Sequence, residues 1–107
     1  MLYDDGRIAC GVTELLIRRY YPWGDKTVPY ASIRGVRRLP LSFGGRRWRL
    51  WGSGDFVHWW NLDRRRPSKD TALVLDVGTR IRPTITPDDP DAVEQVLAAH
   101  GVRISAR

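Results

Sequence analysis

Lysine is almost missing from this chain of 107 residues: Lys26 and Lys69 stand against sixteen arginines. Cysteine occurs once, as Cys10, and histidine twice, as His58 and His100. A lone cysteine cannot close an internal disulfide, which fits a reducing cytoplasm. Neither histidine stands beside Cys or a carboxylate at metal-ligand spacing. No segment approaches the roughly twenty apolar residues that cross a bilayer. Residues 2–10 carry Asp4 and Asp5, and no apolar run precedes a cleavage site, so no secretory signal is expected. The length leaves room for one core, and residues 1–107 are read as one domain.

Catalytic chemistry is equally scarce. His58 stands among Phe56, Trp59 and Trp60, where packing explains it, and His100 falls at a helix C-terminus, where positive charge is favourable. Cys10 reads as a small buried strand residue with no base beside it. Gly52-Ser53-Gly54 lacks the glycine two places before the serine that a hydrolase elbow needs, and is read as a turn. Asp88, Asp89 and Asp91 are explained by helix capping rather than by a cation. No enzyme activity, metal, cofactor or small-molecule substrate follows from these residues.

What the chain does hold is strand-forming material broken by turns. Ten glycines and seven prolines punctuate runs of Val, Ile, Tyr and Trp. Strands are expected at residues 7–11, 14–21, 26–30, 33–41 and 46–51, with turns at 11–13 and 22–25 and a kink over 30–33. Gly35 reads as a bend in its strand. Residues 52–69 show no sustained period, with 56–60 the best candidate for a hidden strand. Residues 71–77 and 80–86 form a last hairpin around Gly78. An odd loop there pairs Leu75 with Ile81 and Leu73 with Pro83, which keeps one face apolar. Seven strands result.

A capped helix follows over residues 88–100. Asp89 can accept a free N–H of the first turn, Pro90 has none to lose, and Gly101 can supply the left-handed residue that ends it. Val93, Val96 and Leu97 share one face, with Ala92 and the ring of His100 beside them. One narrow stripe needs a sheet to lie on, and a small curled sheet has an open end that needs covering. The expected fold is mainly β: a seven-stranded, antiparallel, partly open barrel capped by that helix.

Two stretches resemble the bacterial pleckstrin-homology-like (PH-like) domains. They are Lys26-Thr-Val-Pro-Tyr-Ala-Ser-Ile-Arg-Gly-Val36 and Arg80-Ile-Arg-Pro-Thr-Ile-Thr-Pro-Asp-Asp-Pro-Asp-Ala-Val93. The first is similar to the third and fourth strands of that family, the second to its last strand and capping helix. Residues 52–70 depart from the pattern, being longer and richer in Trp. The resemblance implies a seven-stranded barrel with one C-terminal helix and a binding or scaffolding role without catalysis. Eukaryotic members that bind phosphoinositides use a basic loop between the first two strands. Here the corresponding turn, residues 11–13, has no basic residue, and Arg18 and Arg19 follow on the next strand.

The net charge of +6 gives an attraction to anions, whatever coding bias replaced Lys by Arg. Arg46, Arg47 and Arg49 alternate with Trp48 and Trp51, and Trp59, Trp60, Arg64, Arg65 and Arg66 follow. Indoles inside and arginines outside would account for this order, yet five tryptophans exceed the need of one small barrel. A candidate anion or partner surface therefore comprises Arg18, Arg19, Arg46, Arg47, Arg49, Trp51, Trp59, Trp60, Arg64, Arg65 and Arg66.

Two roles follow. The first is a non-catalytic module binding a protein, including another copy of itself. The second is a binder of anionic membrane headgroups, or, ranked lower, of single-stranded nucleic acid. The expected location is cytoplasmic, peripheral to the membrane in the second case.

Overall fold

A computed structural model of the chain describes residues 2–21, 24–41, 58–60, 69, 71–80 and 82–105. Nine strands and one α-helix lie among them: β1 (Tyr3–Asp4), β2 (Ile8–Cys10), β3 (Glu14–Tyr21), β4 (Gly24–Pro29), β5 (Gly35–Pro40), β6 (His58–Trp60), β7 (Thr71–Asp76), β8 (Arg82–Ile85), α1 (Pro90–Ala99) and β9 (Arg103–Ser105). A single 3-10 turn, Tyr30–Ser32, makes the kink expected between β4 and β5. No helix among the described residues is long and apolar enough to cross a membrane.

The fold is mainly β, in two sheets. The first is an antiparallel meander, β1-β2-β3-β4; the second runs β6-β8-β7-β5-β9. Among the described residues the strands do not close into a barrel, and they number nine rather than seven. Nor is the arrangement all antiparallel, since β9 runs parallel to β5 and β6 parallel to β8. Residues 46–51, expected as a strand, lie outside the described residues, as do Pro22 and Trp23 of an expected turn. Gly24 and Asp25, the other half of that turn, belong to β4.

Strand β3 shows how local chemistry sets facing. Leu15 and Ile17 point into the core, and strict alternation would send Arg19 after them. The register slips between Ile17 and Tyr21 instead. Arg19 takes a left-handed φ of 59°, its N–H donating to Asp25 Oδ1 at 3.0 Å. This bulge turns Arg19 outward and buries Tyr20, sparing the core a charged group.

The last hairpin keeps the expected parity but not the expected register. Leu73 pairs with Ile85 and Val74 with Thr84, two residues beyond the forecast. Its longer turn passes through Gly78 at φ 84°, whose N–H donates to Asp76 Oδ1 at 3.0 Å. The apolar face survives because a shift of two does not change which side a residue faces.

Helix α1 forms as its caps predict. Asp89 accepts from the N–H of Ala92 at 3.1 Å, and Pro90 opens the first turn. At the other end, Gly101 takes φ 83°, while the N–H groups of Gly101 and Val102 donate to Ala98 and Leu97 carbonyls. Val93 and Leu97 are wholly buried, in one core with Ile8, Leu15 and Ile17 of the first sheet and Val36, Leu75 and Ile85 of the second. The helix thus fills the space between the sheets. Burying each of its two aliphatic anchors is worth roughly 1.5–3 kcal/mol. A second cluster, Leu39, Leu41, Trp60, Ala72 and Val74, lies on the opposite face of the second sheet.

Candidate anion-binding groove

Of the residues chosen from the sequence, Arg18, Arg19, Trp59 and Trp60 lie among the described residues. Arg18 lies on the first sheet and forms a two-point ion pair with Asp4, at 2.8 and 3.2 Å. The Arg18 guanidinium, helped by the N–H of Gly6, holds the Asp4 carboxyl down to about 2. Arg19 stands exposed at the bulge. Trp60 is a correction: it is only 5 % exposed and fills the second apolar cluster, so it offers no partner surface. Its neighbour Trp59 lies on β6, in register with Pro83. Arg46, Arg47, Arg49, Trp51, Arg64, Arg65 and Arg66 lie outside the described residues.

Asp88, Asp89, Asp91, His100 and Cys10, candidates that lie among the described residues, have structural employment. Asp89 caps α1, Asp91 pairs with Arg38, and Asp88 pairs with Lys69 at 3.0 Å. His100 ties the helix end to the β2–β3 turn: Nδ1 lies 2.8 Å from the Val96 carbonyl oxygen and Nε2 3.0 Å from that of Val12. Its ring also packs on Tyr30, with centroids 4.2 Å apart. Cys10 is buried on β2, and burial pushes its thiol up to about 11, a state unsuited to nucleophilic attack.

A concentration of charge appears instead on the outer face of the second sheet. Directly paired residues share a face, so the pairing defines rows across it. One row runs Arg103, Gly35, Asp76, from β9 through β5 to β7. The β7–β8 register, carried two residues on, sets Arg82 across from Asp76, and Arg82 pairs in turn with His58 of β6. The next row runs Ser105, Arg37, Val74, Thr84 and ends at the buried Trp60.

These rows line a groove of about 270 Å³, with Arg34, Arg37, Arg82 and Arg103 around it. Gly35 leaves its middle without a side chain, and buried Val74 forms part of the floor. Arg34, just ahead of β5, lays its guanidinium against the Gly78 turn at the rim. Strands spaced about 4.8 Å apart put Arg103 and Arg82, three strands apart, roughly 14 Å from one another at the backbone.

Among the described residues the charged members of the lining are these four arginines and one carboxylate, Asp76. None of the four forms an ion pair or side-chain hydrogen bond with the described residues, in contrast to Arg18 and Arg38. Arg38, on the other face of β5, donates from Nε to Glu94 Oε1 at 3.0 Å and also reaches Asp91. One face of β5 therefore uses Arg38 to hold the helix, and the other presents Arg37 to the groove.

Sequence reading missed all four groove residues. Alternation along residues 33–41 puts Arg37 on the face of Gly35, and Val102-Arg103-Ile104-Ser105 carries a strand-like alternation that would have exposed β9. That β5 and β9 stand beside the β7–β8 hairpin was not legible. Comparison of the chain with protein-family models, with curated proteins and with solved structures gives no match.

Proposed function

We propose that this chain is a non-catalytic binding module that holds an anionic partner in the groove formed by Arg34, Arg37, Arg82 and Arg103. One observation carries the reading: four arginines line one concave face beside a single carboxylate, Asp76, and none of them forms an ion pair with the described residues. Clustered like charges repel and contribute nothing to folding, whereas a planar donor fork suits phosphate and carboxylate. An acidic protein segment is one partner of that chemistry, and an anionic membrane surface is another. A second copy docking groove to groove is disfavoured, because two basic faces would meet.

PH-like membership is part of the proposal. The antiparallel meander followed by a second sheet and a C-terminal helix supports it. The parallel β5–β9 and β6–β8 pairs depart from it.

The test is binding to phosphatidylserine vesicles, a single-stranded oligonucleotide and polyglutamate, each at low and high salt. At least one should bind, weaken steeply as salt rises, and be lost in Arg37→Glu plus Arg82→Glu but not in Arg19→Glu. No binding at low salt, or binding indifferent to the groove pair, rejects the reading.

A further inference from the structure

The groove is more selective in shape than a basic patch. It is concave and holds about 270 Å³, the scale of a small molecule rather than of a flat lipid surface. Among the described residues its lining has no aromatic ring on which a nucleobase could stack. Its chemistry is guanidinium on several sides, and guanidinium forks match phosphoryl oxygens in pairs.

The placement of the arginines adds a second constraint. Arg103 enters from the edge strand β9 and Arg82 from β8, with the side-chain-free Gly35 between Arg103 and Asp76. Arg37 stands in the adjacent row of β5, and Arg34 closes the rim at the Gly78 turn. Arg103 and Arg82 thus stand on opposite sides of one recess. A single tetrahedral anion can face one wall or the other; two linked tetrahedra can face both.

Asp76 adds discrimination. Its Oδ1 accepts from the N–H of Gly78, which fixes a negative charge at the turn end of the lining. That carboxylate repels an extended sheet of anions but leaves three net positive charges for a compact one.

We propose that the groove takes a diphosphate group, two phosphoryl groups sharing one bridging oxygen, either free or as the end of a larger small molecule. The inference rests on the anion-binding reading above. It adds the class of ligand.

Calorimetric titration in magnesium-free buffer at fixed ionic strength tests it with inorganic pyrophosphate, orthophosphate, sulfate, citrate and adenosine diphosphate. Pyrophosphate should bind about tenfold or more tightly than orthophosphate, sulfate and the comparably charged citrate. Adenosine diphosphate binding as well as pyrophosphate marks the ligand as a diphosphate tail, and binding only by pyrophosphate marks it as the free ion. Arg37→Gln and Arg82→Gln should each lose about tenfold in pyrophosphate affinity while melting as the parent does, and Arg19→Gln should lose none.

Citrate equal to pyrophosphate, or pyrophosphate affinity unchanged in Arg37→Gln, overturns the inference. If vesicles, oligonucleotide or polyglutamate still bind through Arg37 and Arg82, the broader reading survives that failure. If no anion binds at low salt, both fall.

Discussion

Gly35 and Arg103 stand opposite one another in the parallel β5–β9 pair, so closely that a Cβ on Gly35 would lie 3.3 Å from the Arg103 carbonyl oxygen. The glycine expected to mark a bend instead marks the seat of the last strand. Its missing side chain lets β9 approach, and β9 carries Arg103 to the groove. In the Gly35→Ala variant the edge strand must yield by a few tenths of an ångström. Melting should stay within about 1 kcal/mol of the parent, because the added methyl also restricts the unfolded chain. Amides of β9 should exchange faster, and anion affinity should fall with them. Hydrogen exchange read beside calorimetry checks both.

Leu97 is fully buried between the two sheets. Leu97→Ala should cost about 2–5 kcal/mol, and Leu97→Asp should unfold the chain. Urea denaturation followed by tryptophan fluorescence measures the first, and far-ultraviolet circular dichroism the second.

Arg38 draws the helix onto β5 through Glu94, whose side chain is only 14 % exposed. Glu94 Oε2 is buried and has no hydrogen-bond partner among the described residues, so Arg38 is its main compensation. Arg38→Met should destabilise by about 1–2 kcal/mol, between the values for exposed and buried pairs. Adding Glu94→Gln should return part of that loss. A double-mutant cycle in urea gives the coupling, and strict additivity would contradict it.

Asp5 gathers four donors. Oδ1 accepts from the N–H groups of Arg7 and Ile8 at 2.9 and 2.8 Å, and Oδ2 from the Tyr3 hydroxyl and the Asp88 N–H at 2.6 and 2.7 Å. Burial alone would raise its pKa; the hydrogen bonds from Tyr3, Asp88, Ile8 and Arg7 outweigh it and bring the carboxyl below the usual aspartate range. A folded value below the unfolded one means stability that is complete above the unfolded pKa, about 4, and lost as pH falls towards the folded value. Asp5→Asn should cost about 1–3 kcal/mol at neutral pH and flatten the acid limb of a stability–pH profile.

Cys10 has no exposed surface, and its thiol is held near 11 by burial. At pH 8 the native protein should resist a thiol reagent such as dithionitrobenzoate. Labelling should then follow the opening of the fold, and become immediate in denaturant.

Much of the secondary structure was local, and so legible. The bounds of β3 follow from a run free of glycine and proline that holds Ile17, Tyr20 and Tyr21, and α1 from Asp89, Pro90 and Gly101, because caps and alternation act within a few residues. The facing of Arg19 was not, since its outward turn depends on a bulge held by Asp25, six residues away. Nor was β9, whose three residues gain strand structure only by joining the exposed edge of β5.

By itself, then, the sequence determined a mainly β chain with a strong positive field, and a C-terminal helix with an apolar side to bury. The tertiary structure alone decided which arginines of the described residues share one face. Arg37, Arg82 and Arg103 lie tens of residues apart, and they meet only because the order β8-β7-β5-β9 sets their strands side by side. Alternation tells each strand which face is which; it carries no information about the neighbour it will pair with.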